Sequence, residues 1–224
     1  MDEIQLMERV RNDASSLFSE KILSPDDFSG SPKSTFVKVL QAVNLSYKAF
    51  ISYFEQLEYI GPHEFIIAVN FVHGWKSDKL MYGSTETNDL RAIAAICSRA
   101  KLKERISRKD LGKLTRMCDN CFSTASKLLH LINPTTYAIL DKHVYKYLYG
   151  LEWDDITNAT GVDECFKYWD LCAVLSQSEE ASQLCSEISA WLGYEVSNIR
   201  ALEIVMFISG KLASIDKPAL SASA

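Results

Sequence analysis

Several features that would place the chain in a familiar class are missing from its 224 residues. The longest uncharged apolar runs, such as residues 65–72, are far too short to span a bilayer, and the acidic N-terminus has neither the basic start nor the apolar core of a signal peptide. There is also no internal repeat, no glycine-rich phosphate loop and no alternating pattern that would indicate a strand. We therefore expect a cytoplasmic protein without a membrane partner, associated with the nucleoid in a bacterium; a nuclear location stays open.

The six cysteines do not form the pattern of a disulfide framework or of a metal site. Cys118-x-x-Cys121 is a single pair, which cannot complete a tetrahedral zinc site, and no histidine lies near it at ligand spacing. The other four lie in apolar helical contexts, which favours reduced thiols packed in a core: Cys97, Cys165, Cys172 and Cys185. We expect no metal and no cofactor.

Apolar residues recur at helical spacing through nearly the whole chain, which predicts an all-α fold of many helices. With 47% hydrophobic residues, the chain can bury a sizeable core. We predict a single helical domain over residues 1–215, as one unit or as two lobes around a cleft, and a disordered tail over 216–224. Residues that favour helix ends mark several boundaries: Ser107, Asp141, Asp163, Ser176 or Ser178, and Ser197 at starts, and Gly193 at an end.

Charge is distributed unevenly along the chain. The formal net charge of −5 argues mildly against nucleic acid as a partner, because neutralising phosphates requires Lys and Arg. Between Arg99 and Arg116, however, eight basic residues stand against Glu104 and Asp110, a local excess of six positive charges. Such a stretch is compatible with a solvated helix face and with a phosphate-binding surface.

The segment most informative about chemistry is residues 123–148, which reads STASKLLHLINPTTYAILDKHVYKYL. It opens with Ser-Thr-Ala, and an apolar pair leads into Asp141, followed by His143 and Val144. This arrangement resembles the catalytic segment of the helix-hairpin-helix DNA glycosylase superfamily, especially its adenine-excising branch and endonuclease III. The resemblance implies an all-α, two-lobed, helix-hairpin-helix glycosylase-like bundle. It also implies a monomer that binds double-stranded DNA and takes one base out of the stack.

By this resemblance, Asp141 is the catalytic residue. A carboxylate fixed beside a flipped nucleotide can stabilise the oxocarbenium-like sugar as the base leaves, or can polarise an attacking water. The alternative is an ordinary helix N-cap, which is the commonest reason for an Asp at the start of a helix.

Two side chains of the predicted second hairpin helix bear on the chemical outcome. Ser123 stands where lyase-competent relatives carry a Schiff-base Lys, and a hydroxyl cannot form an imine, so we expect base release without strand cleavage. Lys127 lies one helical turn further on, at a spacing from Asp141 that differs from that of the family nucleophile. We interpret Lys127 as a phosphate contact or a surface residue.

The sequence departs from the family in the hairpin itself. Relatives carry glycines there, which let backbone N–H groups approach a phosphate, whereas residues 116–122 contain none. Asp119 and Asn120 can adopt a left-handed turn, although Asp119 would repel phosphate. The four-cysteine iron–sulfur loop of some relatives is also missing, so we predict no cluster.

The remaining candidates are a base pocket and a set of DNA contacts. Asn70, His73 and Trp75 end a very apolar predicted helix, and the same resemblance implies that the end of this helix borders the base pocket. These residues would then read or stack on a flipped base together with Ser123; a core His and a packing Trp are the alternative. The predicted DNA contacts are Arg108, Lys109, Lys113, Arg116, Lys127 and His143.

These observations favour a monofunctional DNA glycosylase that hydrolyses the N-glycosidic bond of a damaged or modified base. A non-catalytic helical module that binds DNA or protein on the same scaffold is the alternative, and the missing hairpin glycines favour it. A helical regulatory or toxin-related module unconnected with DNA is the third reading. The sequence does not identify the base.

Overall fold

The computed structural model of the protein describes residues 2–19, 46–76, 87–102, 104–151, 153 and 158–215. Within these ranges the secondary structure is helical and no strand occurs, which confirms the predicted all-α class. The segment predicted as a disordered tail, 216–224, lies outside the described residues. None of the described helices is long and apolar enough to cross a bilayer. The helices are α1 (Glu3–Ser19), α2 (46–56 in its described part), α3 (Pro62–Lys76), α4 (Thr87–Lys101), α5 (Arg108–Met117), α6 (Phe122–Ile132), α7 (Lys142–Tyr149), α8 (Asn158–Leu175), α9 (Glu179–Leu192) and α10 (Asn198–Ile215).

Most of the predicted helix boundaries are confirmed by their caps. Ser107 and Ser178 each accept a hydrogen bond from the backbone N–H three residues on, at the starts of α5 and α9. Ser197 does the same for α10, accepting from the N–H of Arg200 at 3.1 Å. Gly193 ends α9 in the left-handed conformation, with φ of 75°. Each cap satisfies a backbone group that the helix itself leaves without a partner.

The helix start predicted at Asp163 is wrong. α8 begins at Asn158, so Asp163 lies inside the helix, where its carboxylate accepts a hydrogen bond from Nε of Arg108 at 2.8 Å. A residue type that favours helix starts is used here in an ion pair with a distant segment. Local sequence does not distinguish the two uses.

The helices pack in a way that joins the two ends of the chain. α4 and α6 contact each other and both contact α3 and α5, and α1 packs against α8, α9 and α10. α5 and α6 also contact α8, and α7 packs along α10. The buried apolar side chains form one continuous cluster through these contacts.

The segment between α6 and α7, which leads to Asp141, is held by buried aromatic residues. Nε1 of Trp169 on α8 donates to the carbonyl of Ala138 at 2.8 Å. The Tyr137 hydroxyl donates to the carbonyl of Glu104 at 2.9 Å and accepts from the N–H of Ile106 at 3.1 Å. Because Trp169 and Tyr137 are both almost fully buried, these bonds fix the path of the chain into Asp141.

The packing of α7 on α10 depends on a glycine. A Cβ atom added at Gly210 of α10 would overlap the carbonyl oxygen of His143 on α7. Only a residue without a side chain therefore lets the two helices approach this closely. This contact sets the position of the first turn of α7.

We expect Gly210→Ala to destabilise the protein by about 1–3 kcal/mol, because the methyl group must push α7 away from α10. Gly112→Ala is the matched control, since Gly112 is helical and nothing lies within 4 Å of an added Cβ. The control should stabilise the protein by about 0.5–1 kcal/mol through the better helix propensity of Ala. Urea unfolding of the three proteins measures both effects, and equal shifts in the two variants would contradict the close contact.

Candidate functional site

The site begins at the hairpin formed by α5 and α6. Asp119 and Asn120 connect the helices with positive φ angles of 57° and 53°, as the sequence predicts for a turn without glycine. The N–H of Cys118 bonds back to α5, and the N–H of Cys121 bonds to the carbonyl of Cys118 at 3.1 Å. The hairpin therefore closes with Asp and Asn in the positions for which glycine is the usual residue.

Asp141 caps α7 with only one of its two carboxylate oxygens. Oδ1 accepts hydrogen bonds from the N–H groups of His143 at 3.0 Å and Val144 at 3.2 Å. The residue is 8% exposed, so the carboxylate is nearly removed from solvent. The cap leaves Oδ2 available for another interaction.

Oδ2 of Asp141 faces Lys127 of α6. The Lys127 Nζ lies 3.8 Å from this oxygen, and the two side chains are 17% and 11% exposed. The neighbouring Ser126 fixes the backbone around the pair, because its hydroxyl accepts from the N–H of Leu140 at 3.2 Å. The sequence predicts that Lys127 is a phosphate contact or a surface residue. The structure places it inside the site, as the counter-ion of Asp141.

His143, the second residue of α7, is half-buried beside Asp141. Its ring lies edge-on to Phe207 of α10, with 5.4 Å between the centroids. Burial lowers the pKa of His143 to about 4, helped by the positive charges of Lys211, Lys142 and Lys127 and opposed by Asp141. The imidazole is therefore neutral at neutral pH.

Behind this site, α10 carries a buried ion pair between Arg200 and Glu203, which are 6% and 3% exposed. The Arg200 guanidinium lies 4.5 Å from the centre of the Tyr47 ring. Burial raises the pKa of Glu203, and the charge of Asp141 adds to this rise, while Arg200 and Lys127 oppose it. Glu203 and Arg200 therefore belong to the same electrostatic environment as Asp141 and Lys127.

His130 connects this buried group to α2. Nδ1 donates to the carbonyl of Tyr137 at 2.6 Å, so in the neutral ring Nε2 accepts from the hydroxyl of Tyr47, 2.8 Å away. Burial, together with the nearby positive charge of Arg200, lowers the pKa of His130 to about 3. Sequence reasoning missed this cluster. Its one visible trace is the oppositely charged pair Arg200 and Glu203, three residues apart within an apolar helix.

The basic residues between Arg99 and Arg116 are less available to bind phosphates than the composition of this stretch suggests. Arg108 pairs with Asp163, and Arg105 pairs with Asp170 through Nη1 at 2.5 Å. These two carboxylates of α8 bring the local excess of positive charge from six to four. Among the predicted DNA contacts, Lys109, Lys113 and Arg116 recur along α5 and have no carboxylate within 4 Å in the described part of the chain.

The predicted pocket residues are only partly assembled. Ser123 is buried on α6, one turn before Lys127. Asn70 and His73 lie on α3, where Asn70 is exposed and His73 is buried. Neither is hydrogen-bonded to the Asp141 carboxylate. The Trp75 side chain lies outside the described residues. The structure thus brings together Asp141, Lys127 and His143.

The cysteines behave largely as expected. None of the six, all of which lie in the described ranges, forms a disulfide; Cys97, Cys165 and Cys172 are fully buried, whereas Cys185 is half-buried. Burial raises the pKa of Cys97 and of Cys172 to about 12, so these thiols stay protonated. Within the described ranges, no group of three or more His, Cys, Asp or Glu residues is arranged to hold a metal ion.

Comparison of the chain with protein-family models, with curated proteins and with solved structures finds no match.

The neutral state of His130 predicts how stability depends on pH. The unfolded chain binds a proton near pH 6.5, whereas the folded protein does so only near pH 3, so the free energy of unfolding should fall as the pH drops below 6.5. Between pH 6.5 and 5, this histidine alone should lower the free energy of unfolding by about 1.5 kcal/mol. Urea unfolding at several pH values measures the slope. His130→Asn, which does not titrate, should have the shallower slope, and identical slopes would contradict a buried neutral imidazole.

The ion pair between Lys127 and Asp141 predicts strong coupling between the two residues. Asp141→Asn keeps the capping oxygen but removes the negative charge that faces a largely buried ammonium, so we expect a loss of about 2–4 kcal/mol in unfolding free energy. Lys127→Met should also destabilise, and the double variant should lose about 1–3 kcal/mol less than the sum of the single losses. Urea unfolding of all four proteins completes the cycle, and strict additivity would show that the pair contributes nothing.

Proposed function

We propose that the protein is a monofunctional DNA glycosylase that uses Asp141 to cleave the N-glycosidic bond of a damaged or modified base. The observation that carries the proposal is the division of the Asp141 carboxylate. One oxygen caps α7, and the other is not used by the cap, so at this nearly buried site it can face a developing cation when a substrate is bound. A capping residue alone needs only the first oxygen.

The surroundings suit a reaction that develops positive charge on a sugar. A carboxylate held by two backbone N–H groups cannot turn away as the base leaves, and its field is screened little by water. His143, two residues after Asp141, supplies a neutral polar group, and Ser123 lies one turn before Lys127 on α6. Lys109, Lys113 and Arg116 offer positive charge for the strand. A two-lobed, glycosylase-like arrangement of the helices is part of this proposal.

A non-catalytic DNA- or protein-binding module remains the second candidate. It is favoured by the hairpin without glycine and by the ion pairs that occupy Arg105 and Arg108. In that case Asp141 and Lys127 only tie α6 to α7.

Removing the charge of Asp141 separates the two candidates. Duplexes carrying a panel of modified bases are incubated with the protein, and abasic sites are then cleaved with alkali. For any base released, Asp141→Asn should lower the single-turnover rate by two to three orders of magnitude, through loss of about 3–4 kcal/mol of transition-state stabilisation. Strands should break only after alkali, and borohydride should trap no adduct, because Ser123 cannot form an imine.

The control for folding is the double variant with Lys127→Met, in which both charges of the pair are removed. It should be as inactive as Asp141→Asn while being the more stable of the two. Base release by folded Asp141→Asn at the rate of the unaltered protein would exclude Asp141 from catalysis. A trapped adduct that disappears in Lys127→Ala would show that Lys127 is the nucleophile of a lyase.

A further inference from the structure

The pairing of Lys127 with Asp141 conflicts with the proposed chemistry as long as it persists. A carboxylate stabilises a cationic sugar through its negative charge, and an ammonium 3.8 Å away opposes that field at close range. A second cation beside the reacting sugar would also repel the developing charge. The ion pair is therefore better suited to the DNA-free protein than to the complex in which the base is released.

The geometry of the pair allows it to open. The distance of 3.8 Å exceeds the 2.7–2.9 Å of a tight charge-assisted hydrogen bond. The cap uses Oδ1 of Asp141, whereas Lys127 faces Oδ2, so the cap does not involve Lys127. The Lys127 side chain is 17% exposed and ends a flexible four-carbon stem, so its ammonium can move while its aliphatic part stays packed. Losing Lys127 from Oδ2 need not displace Asp141.

The charges around His143 indicate what would draw the ammonium away. Lys142, Lys211 and Lys127 all act on the imidazole and are opposed by the carboxylate of Asp141. Lys142 is exposed and Lys211 is half-buried, so this positive region extends to the surface. An anion that approaches the start of α7 therefore meets several ammonium groups and competes with Asp141 for Lys127.

We propose that Lys127 masks Asp141 in the free protein and transfers to a phosphate of the bound strand, so that Asp141 regains its full negative charge only in the DNA complex. The inference rests on the proposed function, and it assigns Lys127 a positioning role at the same site. The ligand is a phosphodiester of the DNA backbone. Chemistry at Asp141 is thereby coupled to strand binding.

Binding of a duplex that carries a tetrahydrofuran abasic-site analogue tests the exchange without requiring catalysis. For Lys127→Met, the logarithmic salt slope of the association constant should fall by about 0.9, the contribution of one phosphate contact. Lys127→Arg should keep the slope. Lys167→Met is the matched control, because it removes an ammonium paired with Glu164 on the surface of α8, and it should leave the slope unchanged.

Competition between the carboxylate and the phosphate gives a second readout. Asp141→Asn should bind the same duplex several-fold more tightly, because Lys127 no longer has to leave a counter-ion. That gain should be much smaller when Lys127→Met is also present. Equal gains in the two backgrounds would overturn the exchange, since they would reflect only the loss of a negative charge near DNA.

The outcomes also separate this inference from the glycosylase proposal. Base release with an unchanged salt slope, or with a rate at saturating duplex that rises in Lys127→Met, would overturn the exchange and leave the enzyme. A lowered slope without release of any base would support the exchange as a binding device and reject the enzyme.

Discussion

The site depends on one carboxylate that makes two kinds of interaction. Oδ1 of Asp141 satisfies the first N–H groups of α7, and Oδ2 faces the Lys127 ammonium of α6. The first interaction fixes where α7 begins, and the second ties that point to the second helix of the hairpin. Since α7 packs closely on α10 at Gly210, the same carboxylate also links α6, through α7, to the C-terminal helix.

Charge balance explains how so many ionisable groups can lie together at low exposure. Lys127 and Asp141 form one pair, Arg200 and Glu203 form another, and His130 is neutral between its partners on Tyr47 and Tyr137. A buried pair of this kind adds little net stability compared with apolar packing, but breaking it is costly. We infer that the cluster fixes the arrangement of α2, α6, α7 and α10 more than it stabilises the fold.

Features that depend on neighbouring residues could be predicted from the sequence. The helical class, the caps at Ser107, Asp141 and Ser178, and the left-handed turn at Asp119 follow from local patterns. The interactions that were missed join segments far apart in the chain. Arg108 with Asp163 is one example, and it also explains why Asp163 was wrongly assigned as a helix start. The sequence predicts that Lys127 shares a helix with Ser123. The orientation of Lys127 toward Asp141, however, depends on how α6 packs against α7.

The most direct measurement of the central claim is a crystal structure of the protein bound to a duplex carrying a tetrahydrofuran abasic-site analogue. We expect the analogue to be extruded beside Oδ2 of Asp141, with Oδ1 still capping α7 and the Lys127 ammonium on a backbone phosphate. A duplex bound on another face, with Asp141 still paired to Lys127 and remote from the extruded sugar, would contradict both the catalytic role of Asp141 and the exchange of its counter-ion.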